Sequence, residues 1–373
     1  MKKILLVLTF IMLATLNVHE AQASTDSVIR GNYEFEYEPT KGGVWITKVT
    51  PLSDKGIATL IIPAKIEGKK VVKLGGPKDT MDTSWEDDDS NLFGMKWSED
   101  YADLIVPEKV HDRVAKIKTI QIPSTVTKIT MNCFNLIPDG KTINIPKGVT
   151  RNVEWLIDTK WKKMTISPKN RTYKIVRGCL LTKDGTKMYG FVQKRKKVVI
   201  PNTVKEMLTV GGDYNGVFEI VIPKSVKKIE NEEMCISVDT KIKVAKGNKN
   251  YASKKGCLYN KKKKCVVAVA VLNGVFRIPQ GVVYFSAHPR FIGPQAEKLI
   301  VPSSVEKMEF LMNLSVGSEF TCVMEGITPP KLDYTGVYNV KNLTVYVPKG
   351  CTSIYEQAWK FDSSITVTYI EQE

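Results

Sequence analysis

Short apolar segments that end at a proline recur along this chain. Each has one apolar residue before and one after a variable residue, as in Ile120-Gln121-Ile122-Pro123. This alternation is typical of a β-strand with one buried face, and the proline ends the strand because it has no N–H to donate to a sheet. The motif predicts further short strands at residues 143–146, 198–201, 220–223, 276–279 and 299–302.

The prolines are regularly spaced. They form three evenly spaced runs, at positions 123, 146 and 168, at 201 and 223, and at 279 and 302. A period of roughly 22 residues predicts a solenoid, in which each turn buries its apolar residues against its neighbours. A second apolar pair with i, i+3 spacing follows four of the prolines and is predicted to turn the chain back towards the core: Val126 and Ile129, Val204 and Met207, Val226 and Ile229, and Val305 and Met308.

Two intervals between the motifs are longer and hold an insert of the same kind, at about residues 173–192 and 251–272. Each insert has a tyrosine, a Gly-Cys-Leu segment, a polar turn and an apolar run. We predict a β-hairpin in each, with a two-residue turn at Asp184-Gly185 in the first. A larger unit also repeats, since the prolines at positions 123, 201 and 279 are equally spaced.

The repeat resembles the BspA-like leucine-rich repeats of bacterial surface proteins. Residues 120–134 match that family best, with Ile122-Pro123, Val126, Ile129 and Cys133-Phe134 in the family's order. The resemblance implies a mainly β, right-handed solenoid with parallel sheets, short helical turns and interspersed β-hairpins. It also implies a secreted or surface-displayed protein that takes part in adhesion.

The resemblance extends towards both ends and suggests a division of the chain. Residues 24–57 are predicted to form an N-terminal β cap, residues 58–320 the solenoid, and residues 321–373 a C-terminal capping segment. Residues 75–103 interrupt the period as an irregular acidic insert.

Residues 1–23 are predicted to be a secretory signal peptide. Two lysines precede an apolar run from Ile4 to Leu16, and Ala21-Gln22-Ala23 is a small-x-small cleavage signal. The run is shorter than the roughly 20 apolar residues that span a bilayer. We therefore expect an exported protein, either secreted, periplasmic or at the cell surface, without a membrane span or lipid anchor.

The chain is basic, with a formal net charge of +16 at pH 7. Polyanions are natural partners of such a protein, and export favours an acidic glycan or an extracellular protein over nucleic acid. The alternative is that the lysines serve solubility alone. Seven cysteines form an odd set without a CxxC pair, so we expect buried thiols and no disulfide framework. We expect a monomer.

Motifs that carry chemistry are missing from the sequence. It has three histidines and contains no HExxH, no GxSxG and no GxxxxGK segment. We therefore predict that the protein is not an enzyme and that it has no cofactor and no catalytic or metal site.

Two lysine clusters are candidate ligand-binding residues, because both lie near the inserts and are expected to project from one side of the solenoid. The alternative is that they are solvated turns that protect strand edges from pairing. The clusters are Lys194, Arg195, Lys196 and Lys197, and Lys261, Lys262, Lys263 and Lys264.

Tryptophans are the other candidates. Trp85 and Trp97 lie in the acidic insert and are candidate ligand contacts, or they pack on the first turns. In the same insert Asp87, Asp89 and Asn91 have the spacing of a calcium loop, although the turn glycine and the bidentate glutamate of such a loop are missing. Elsewhere, Trp155 and Trp161 are interpreted as core residues rather than a sugar platform.

These observations favour a non-enzymatic, exported recognition or adhesion protein that binds a host or cell-surface protein or a polyanion. One alternative is a glycan-binding component of nutrient capture. Another is a secreted enzyme or inhibitor on a repeat scaffold.

Overall fold

The computed structural model describes the chain with several gaps. The described residues are 26–76, 91–97, 104–105, 109–131, 133–134, 136–138, 140–157, 161–192, 196–208, 219–230, 241–254, 257–262, 264–269, 274–286, 296–309, 319–332, 340–361 and 363–373. The predicted signal peptide and most of the acidic insert lie outside them.

The N-terminal part starts with three antiparallel strands and continues in short strands. Its elements are β1 (Asp26–Arg30), β2 (Tyr33–Thr40), β3 (Gly43–Pro51), β4 (Thr59–Ile61), β5 (Lys65–Ile66), β6 (Lys69–Leu74), β7 (Lys96–Trp97), β8 (Leu104–Ile105), helix α1 (Val110–Lys116), β9 (Thr119–Gln121), β10 (Lys128–Ile129), β11 (Thr142–Ile145), a 3-10 helix (Glu154–Ile157) and β12 (Lys163–Ile166).

The middle and C-terminal parts repeat one arrangement. The middle part has β13 (Tyr173–Val176), β14 (Cys179–Thr182), β15 (Lys187–Phe191), β16 (Lys197–Val199), β17 (Glu206–Met207), β18 (Glu219–Ile222), β19 (Lys228–Ile229) and β20 (Lys241–Val244). The C-terminal part has β21 (Tyr251–Lys254), β22 (Cys257–Asn260), β23 (Cys265–Val269), β24 (Gly274–Arg277), β25 (Tyr284–Ser286), β26 (Ala296–Val301), β27 (Lys307–Glu309), β28 (Glu319–Met324), β29 (Lys331–Leu332), β30 (Asn342–Val347), α2 (Thr352–Ala358) and β31 (Thr366–Glu371).

Two series of sheets run along the molecule. The strands just before the prolines form what we call the front sheets, in the orders β4-β9-β11-β12, β16-β18-β20 and β24-β26-β28-β30-β31. The strands that follow the prolines, together with the inserts, form the back sheets, in the orders β1-β2-β3-β6-β10, β13-β14-β15-β17-β19 and β21-β22-β23-β25-β27-β29. Strands of successive turns pair in parallel. These pairings confirm the predicted β-solenoid, which has about 10 turns.

The core lies between the two series because each strand turns alternate residues inward. On the front side, Leu60, Ile120 and Ile143 are paired in register and fully buried. On the back side, Val126 and Ile129 are buried in the same hydrophobic cluster as these three residues. The residue between two buried positions faces outward, so buried and exposed residues alternate along each strand as the apolar-x-apolar motif predicts.

Each insert contains three antiparallel strands rather than a single hairpin. In the first insert β13 pairs with β14 and β14 pairs with β15. The third strand, β15, then pairs in parallel with β17. The insert is therefore continuous with the back sheet, and β21, β22, β23 and β25 repeat this arrangement.

The predicted two-residue turn at Asp184-Gly185 is wrong. Four residues, 183–186, connect β14 to β15, and the carboxylate of Asp184 accepts hydrogen bonds from the Thr186 amide at 3.0 Å and the Thr182 hydroxyl at 2.5 Å. A two-residue turn joins β13 to β14 instead. It consists of Arg177 and Gly178, whose φ angles of 53° and 82° are both positive, as a type I′ hairpin requires.

The end of the acidic insert belongs to the core. Leu92, Phe93 and Met95 are buried, and the Leu92 amide donates to the carbonyl of Cys133 at 2.8 Å. These apolar residues next to the acidic run therefore hold this part of the insert in the core. Trp85 lies outside the described residues.

The C-terminal end closes on aromatic residues of α2 and the segment after it. Tyr355 and Trp359 are buried and their rings meet edge to face, 5.3 Å apart. The Tyr355 hydroxyl donates to the Gly326 carbonyl at 2.7 Å, and the Trp359 indole donates to the Pro330 carbonyl at 2.9 Å. Among the described residues, no helix is long and apolar enough to cross a membrane.

Candidate binding surface

The first lysine cluster lies at the start of a front strand. Lys196 and Lys197 are exposed, and Lys197 begins β16. The Lys197 ammonium pairs with the carboxylate of Glu219 on β18 at 2.8 Å. Lys194 and Arg195 lie outside the described residues.

The second lysine cluster lies in the connection between β22 and β23, in a back sheet. Lys261, Lys262 and Lys264 are exposed, and the Lys261 ammonium donates to the carbonyl of Asn248 at 2.7 Å. Lys263 lies outside the described residues. The structure therefore places the two clusters on different elements, one on a front strand and one in a back-sheet turn.

The tryptophan and calcium candidates are only partly described. Trp97 lies in β7, which pairs with β8. Asp87 and Asp89 lie outside the described residues, whereas Asn91 is buried and its side-chain oxygen accepts the Phe93 amide at 2.7 Å. In the part of the chain that the structure describes, there is no group of three or more residues that could hold a metal ion.

Trp161 is a core residue. It is buried, its indole donates to the carbonyl of Leu156 at 2.9 Å, and it packs edge to face on Phe134. Trp155 is half-buried. The prediction that Trp161 is a core residue is therefore confirmed.

A row of one glutamate between two lysines spans the back strands β15, β17 and β19. The carboxylate of Glu206 pairs with the ammonium of Lys187 at 2.9 Å and with that of Lys228 at 2.6 Å. The register of the strands places the three residues side by side. The hydrogen bonds from Lys187 and Lys228 lower the pKa of Glu206, and the hydrogen bond to Glu206 raises the pKa of each lysine. We call this set the back ladder.

The front strands β16, β18 and β20 carry a matching set, the front ladder. The carboxylate of Glu219 pairs with the ammonium of Lys197 at 2.8 Å and with that of Lys243 at 3.0 Å. Hydrogen bonds from these two lysines lower the pKa of Glu219. Each ladder has two lysines for one carboxylate and therefore keeps a positive charge.

Both ladders lie within a segment that carries the entire net charge of the protein. Residues 169–264 contain 24 lysines and arginines but eight aspartates and glutamates, whereas the rest of the chain contains 31 of each kind. We call residues 169–264 the basic block. Both predicted lysine clusters belong to it, but its other basic residues are spread along the sequence singly or in pairs and were not predicted as part of a binding surface.

The turns outside the basic block present mostly uncharged side chains on their front sheets. Thr59, Thr119 and Thr142 are paired in register on one side of the block. On the other side Thr321, Thr344 and Thr368 are paired in the same way. The positive charge of the solenoid is therefore localised along its length.

The described cysteines are buried thiols. All five for which burial is described lie in the core and form no disulfide: Cys133, Cys179, Cys265, Cys322 and Cys351. Burial raises the pKa of the Cys133 and Cys322 thiols well above the ordinary value. Because the thiolate is the reactive form, the raised pKa makes Cys133 and Cys322 poor nucleophiles.

Comparisons with known proteins find matches among solved structures. No protein-family model matches the chain, and no curated protein matches it. The chain is a β-solenoid, and the solved structures to which it is similar include leucine-rich-repeat proteins.

One such structure is a leucine-rich cell-surface protein from Faecalibacterium prausnitzii A2-165, with 13% identity, a TM-score of 0.36 and coverage of 94% of this chain and 96% of that one. A leucine-rich repeat protein from Bacteroides ovatus ATCC 8483 has 12% identity, a TM-score of 0.36 and coverage of 92% and 99%. The pneumococcal vaccine antigen PcpA has 12% identity, a TM-score of 0.32 and coverage of 93% and 99%. These values say nothing about a ligand.

Proposed function

We propose that the protein is exported and binds a partner on a cell surface through its solenoid, without catalysing a reaction. The observation that carries this proposal is the stack of parallel strands, which repeats outward-facing side chains in register over successive turns. Such a surface suits binding of an extended partner, because one contact recurs at each turn.

The sequence supports the same proposal at several points. The predicted signal peptide, residues 1–23, directs the chain out of the cytoplasm, and residues 24–57 and 321–373 close the two ends of the solenoid. The resemblance to BspA-like repeats adds adhesion as the role. Among the candidate contacts, the lysine clusters at 194–197 and 261–264 lie in the basic block, and Trp85 and Trp97 provide a second, separate candidate surface.

Cell fractionation and binding measurements test the proposal together. The full-length chain is expressed in a bacterial host, and we expect an exported form that begins at Ser24. The purified form is then applied to host and bacterial cells and to arrays of glycans and matrix proteins. Retention in the cytoplasm, or the absence of binding to every cell type and array, would refute the proposal, as would robust turnover of peptide or glycoside substrates.

A further inference from the structure

We propose that the basic block, residues 169–264, binds a linear anionic glycan whose sulfate or carboxylate groups contact its exposed lysines. This inference rests on the proposed function and names the ligand class and the turns that bind it. The remaining turns act as a scaffold with balanced charge.

The exposed lysines of the basic block repeat from one turn to the next. Lys205 and Lys227 precede neighbouring back strands, and the Lys227 amide donates to the Lys205 carbonyl at 2.7 Å. Lys224 and Lys246 are likewise exposed and follow Pro223 and Ala245 at the ends of neighbouring front strands. Paired strands lie about 4.8 Å apart, so the block offers rows of ammonium groups at a regular spacing.

The acidic residues described in the block are engaged in internal contacts. Glu206 and Glu219 each pair with two lysines, and Asp184 accepts hydrogen bonds from its own turn. The charge of Glu230 acts on Lys187 and Lys228 and raises the pKa of each. The carboxylates therefore position lysines and do not form a separate acidic surface. An anion that approaches the block meets ammonium groups in excess of carboxylates.

A linear polymer matches this arrangement better than a compact ligand does. Its charges repeat along one direction, as do the lysines across stacked strands. Because lysines lie on both the front and the back strands, a long polymer can contact more of them than a compact ligand can. Contacts of this kind are weakened by salt, because exposed charges are screened beyond a Debye length of about 8 to 10 Å.

The first test compares two variants of equal net charge. The block variant replaces four exposed lysines of the basic block, and the control variant replaces four exposed lysines elsewhere, three of which directly follow a proline. The block variant is Lys205→Gln, Lys224→Gln, Lys227→Gln and Lys246→Gln, and the control is Lys69→Gln, Lys147→Gln, Lys331→Gln and Lys349→Gln.

Binding to heparin and to polygalacturonate is measured by titration at low and at physiological salt, with circular dichroism to verify folding. We expect at least a tenfold loss of affinity in the block variant and less than a twofold change in the control. The two probes separate sulfate from carboxylate recognition. Equal losses in both variants, no binding by the unmodified chain, or equally tight binding of a DNA duplex would overturn the proposal.

The ladders allow a second test with a gain of binding. Glu206→Gln removes the carboxylate that lies between Lys187 and Lys228 in the back ladder, so that each lysine keeps only the smaller attraction of neighbouring carboxylates such as Glu230. Glu325→Gln is the matched control, because Glu325 pairs with Arg277 outside the block. We expect tighter heparin binding for Glu206→Gln alone; unchanged or weaker binding would contradict the assignment.

Cell attachment separates this inference from the proposed function. If the unmodified chain attaches to cells and the block variant attaches equally well, the proposed function stands and the basic block is not its binding surface. If the block binds soluble glycan but the chain attaches to no cell, the inference stands and the proposed function fails.

Discussion

Asn170 and Asn248 make the same four hydrogen bonds, although they lie far apart in the sequence. Each is buried, and each side-chain amide donates to two carbonyls of the preceding turn, those of Pro146 and Val149 for Asn170. Each side-chain oxygen accepts two amides at the start of its own insert, at 2.9 Å. An asparagine thus joins each insert to the turn before it.

We predict that replacing either asparagine destabilises the protein strongly. Asn170→Leu keeps the branched shape of the side chain but leaves two carbonyls and two amides without partners, and each unsatisfied buried group costs about 1 to 3 kcal/mol. We expect a loss of at least about 3 kcal/mol in the free energy of unfolding, measured by urea denaturation. Asn202→Ala, at an exposed position, is the control. A loss at Asn170 no larger than at Asn202 would show that the hydrogen bonds do not hold the insert.

A second prediction concerns a close approach between two turns at Gly75. Its φ is +118°, and a Cβ at this position would overlap the Thr130 side chain. Gly42 also has a positive φ, of +88°, but a Cβ there meets open space. The difference between Gly75→Ala and Gly42→Ala therefore reports the steric clash separately from backbone strain.

We expect Gly75→Ala to lower the thermal midpoint by a few degrees more than Gly42→Ala, since about 1 kcal/mol corresponds to roughly 2 to 4 °C in domains of about 150 to 250 residues. Differential scanning calorimetry of the two variants measures this. Equal midpoints would mean that Thr130 moves aside without cost.

The strands of the solenoid could be predicted because their signal is local. Ile120 and Ile122 are buried and Gln121 between them is exposed, as the alternation indicates. The first strand of each insert, β13 or β21, was not predicted. In the first insert it is joined to the next strand by Arg177-Gly178, a turn that lacks the Asn-Gly or Asp-Gly signal of a two-residue hairpin. Asn170 was missed for a related reason: it stands between Lys169 and Arg171, and its polar neighbours suggest a solvated turn.

The candidate surface could be predicted in part. The runs at 194–197 and 261–264 are visible as consecutive lysines, but the ladders are not. Lys187, Glu206 and Lys228 come from three different strands, and parallel stacking alone brings them side by side. The sequence therefore indicates a basic protein, and the register of the turns shows how its charges are arranged.

Buried thiols lead to a third prediction. In a variant with Cys235→Ser and Cys257→Ser, the five remaining cysteines are buried and form no disulfide. We expect a thiol reagent at pH 8 to label less than one equivalent in the native protein and five equivalents after unfolding in urea. Because these cysteines form no disulfide, a reductant is expected to leave the thermal midpoint unchanged. Rapid native labelling would contradict the burial of these residues.

The last prediction concerns the pH dependence of stability at Lys141. Its ammonium donates to the carbonyls of Ile117 at 2.8 Å and Ala115 at 3.5 Å, at the C-terminal end of α1, where helix carbonyls lack partners. Burial, with a smaller contribution from the charge of Lys118, lowers the pKa of Lys141 from 10.5 to about 8.

Because this pKa is lower in the folded state, the unfolded chain binds more protons between pH 8 and pH 10.5 than the folded chain does. Stability from this residue therefore increases as the pH rises through that range, by up to about 3 kcal/mol. We expect the difference in unfolding free energy between the unmodified chain and Lys141→Met to be constant below pH 8 and to grow in favour of the unmodified chain above it.

Lys118→Met provides a control with an opposite effect on the same group. Removing the charge of Lys118 raises the pKa of Lys141, so the increase in stability above pH 8 becomes smaller in that background. Urea denaturation at pH 7, 8, 9 and 10 measures both variants. A difference between the unmodified chain and Lys141→Met that does not change with pH would mean that Lys141 stays charged in the folded protein throughout, and that the two carbonyls of α1 offset its burial.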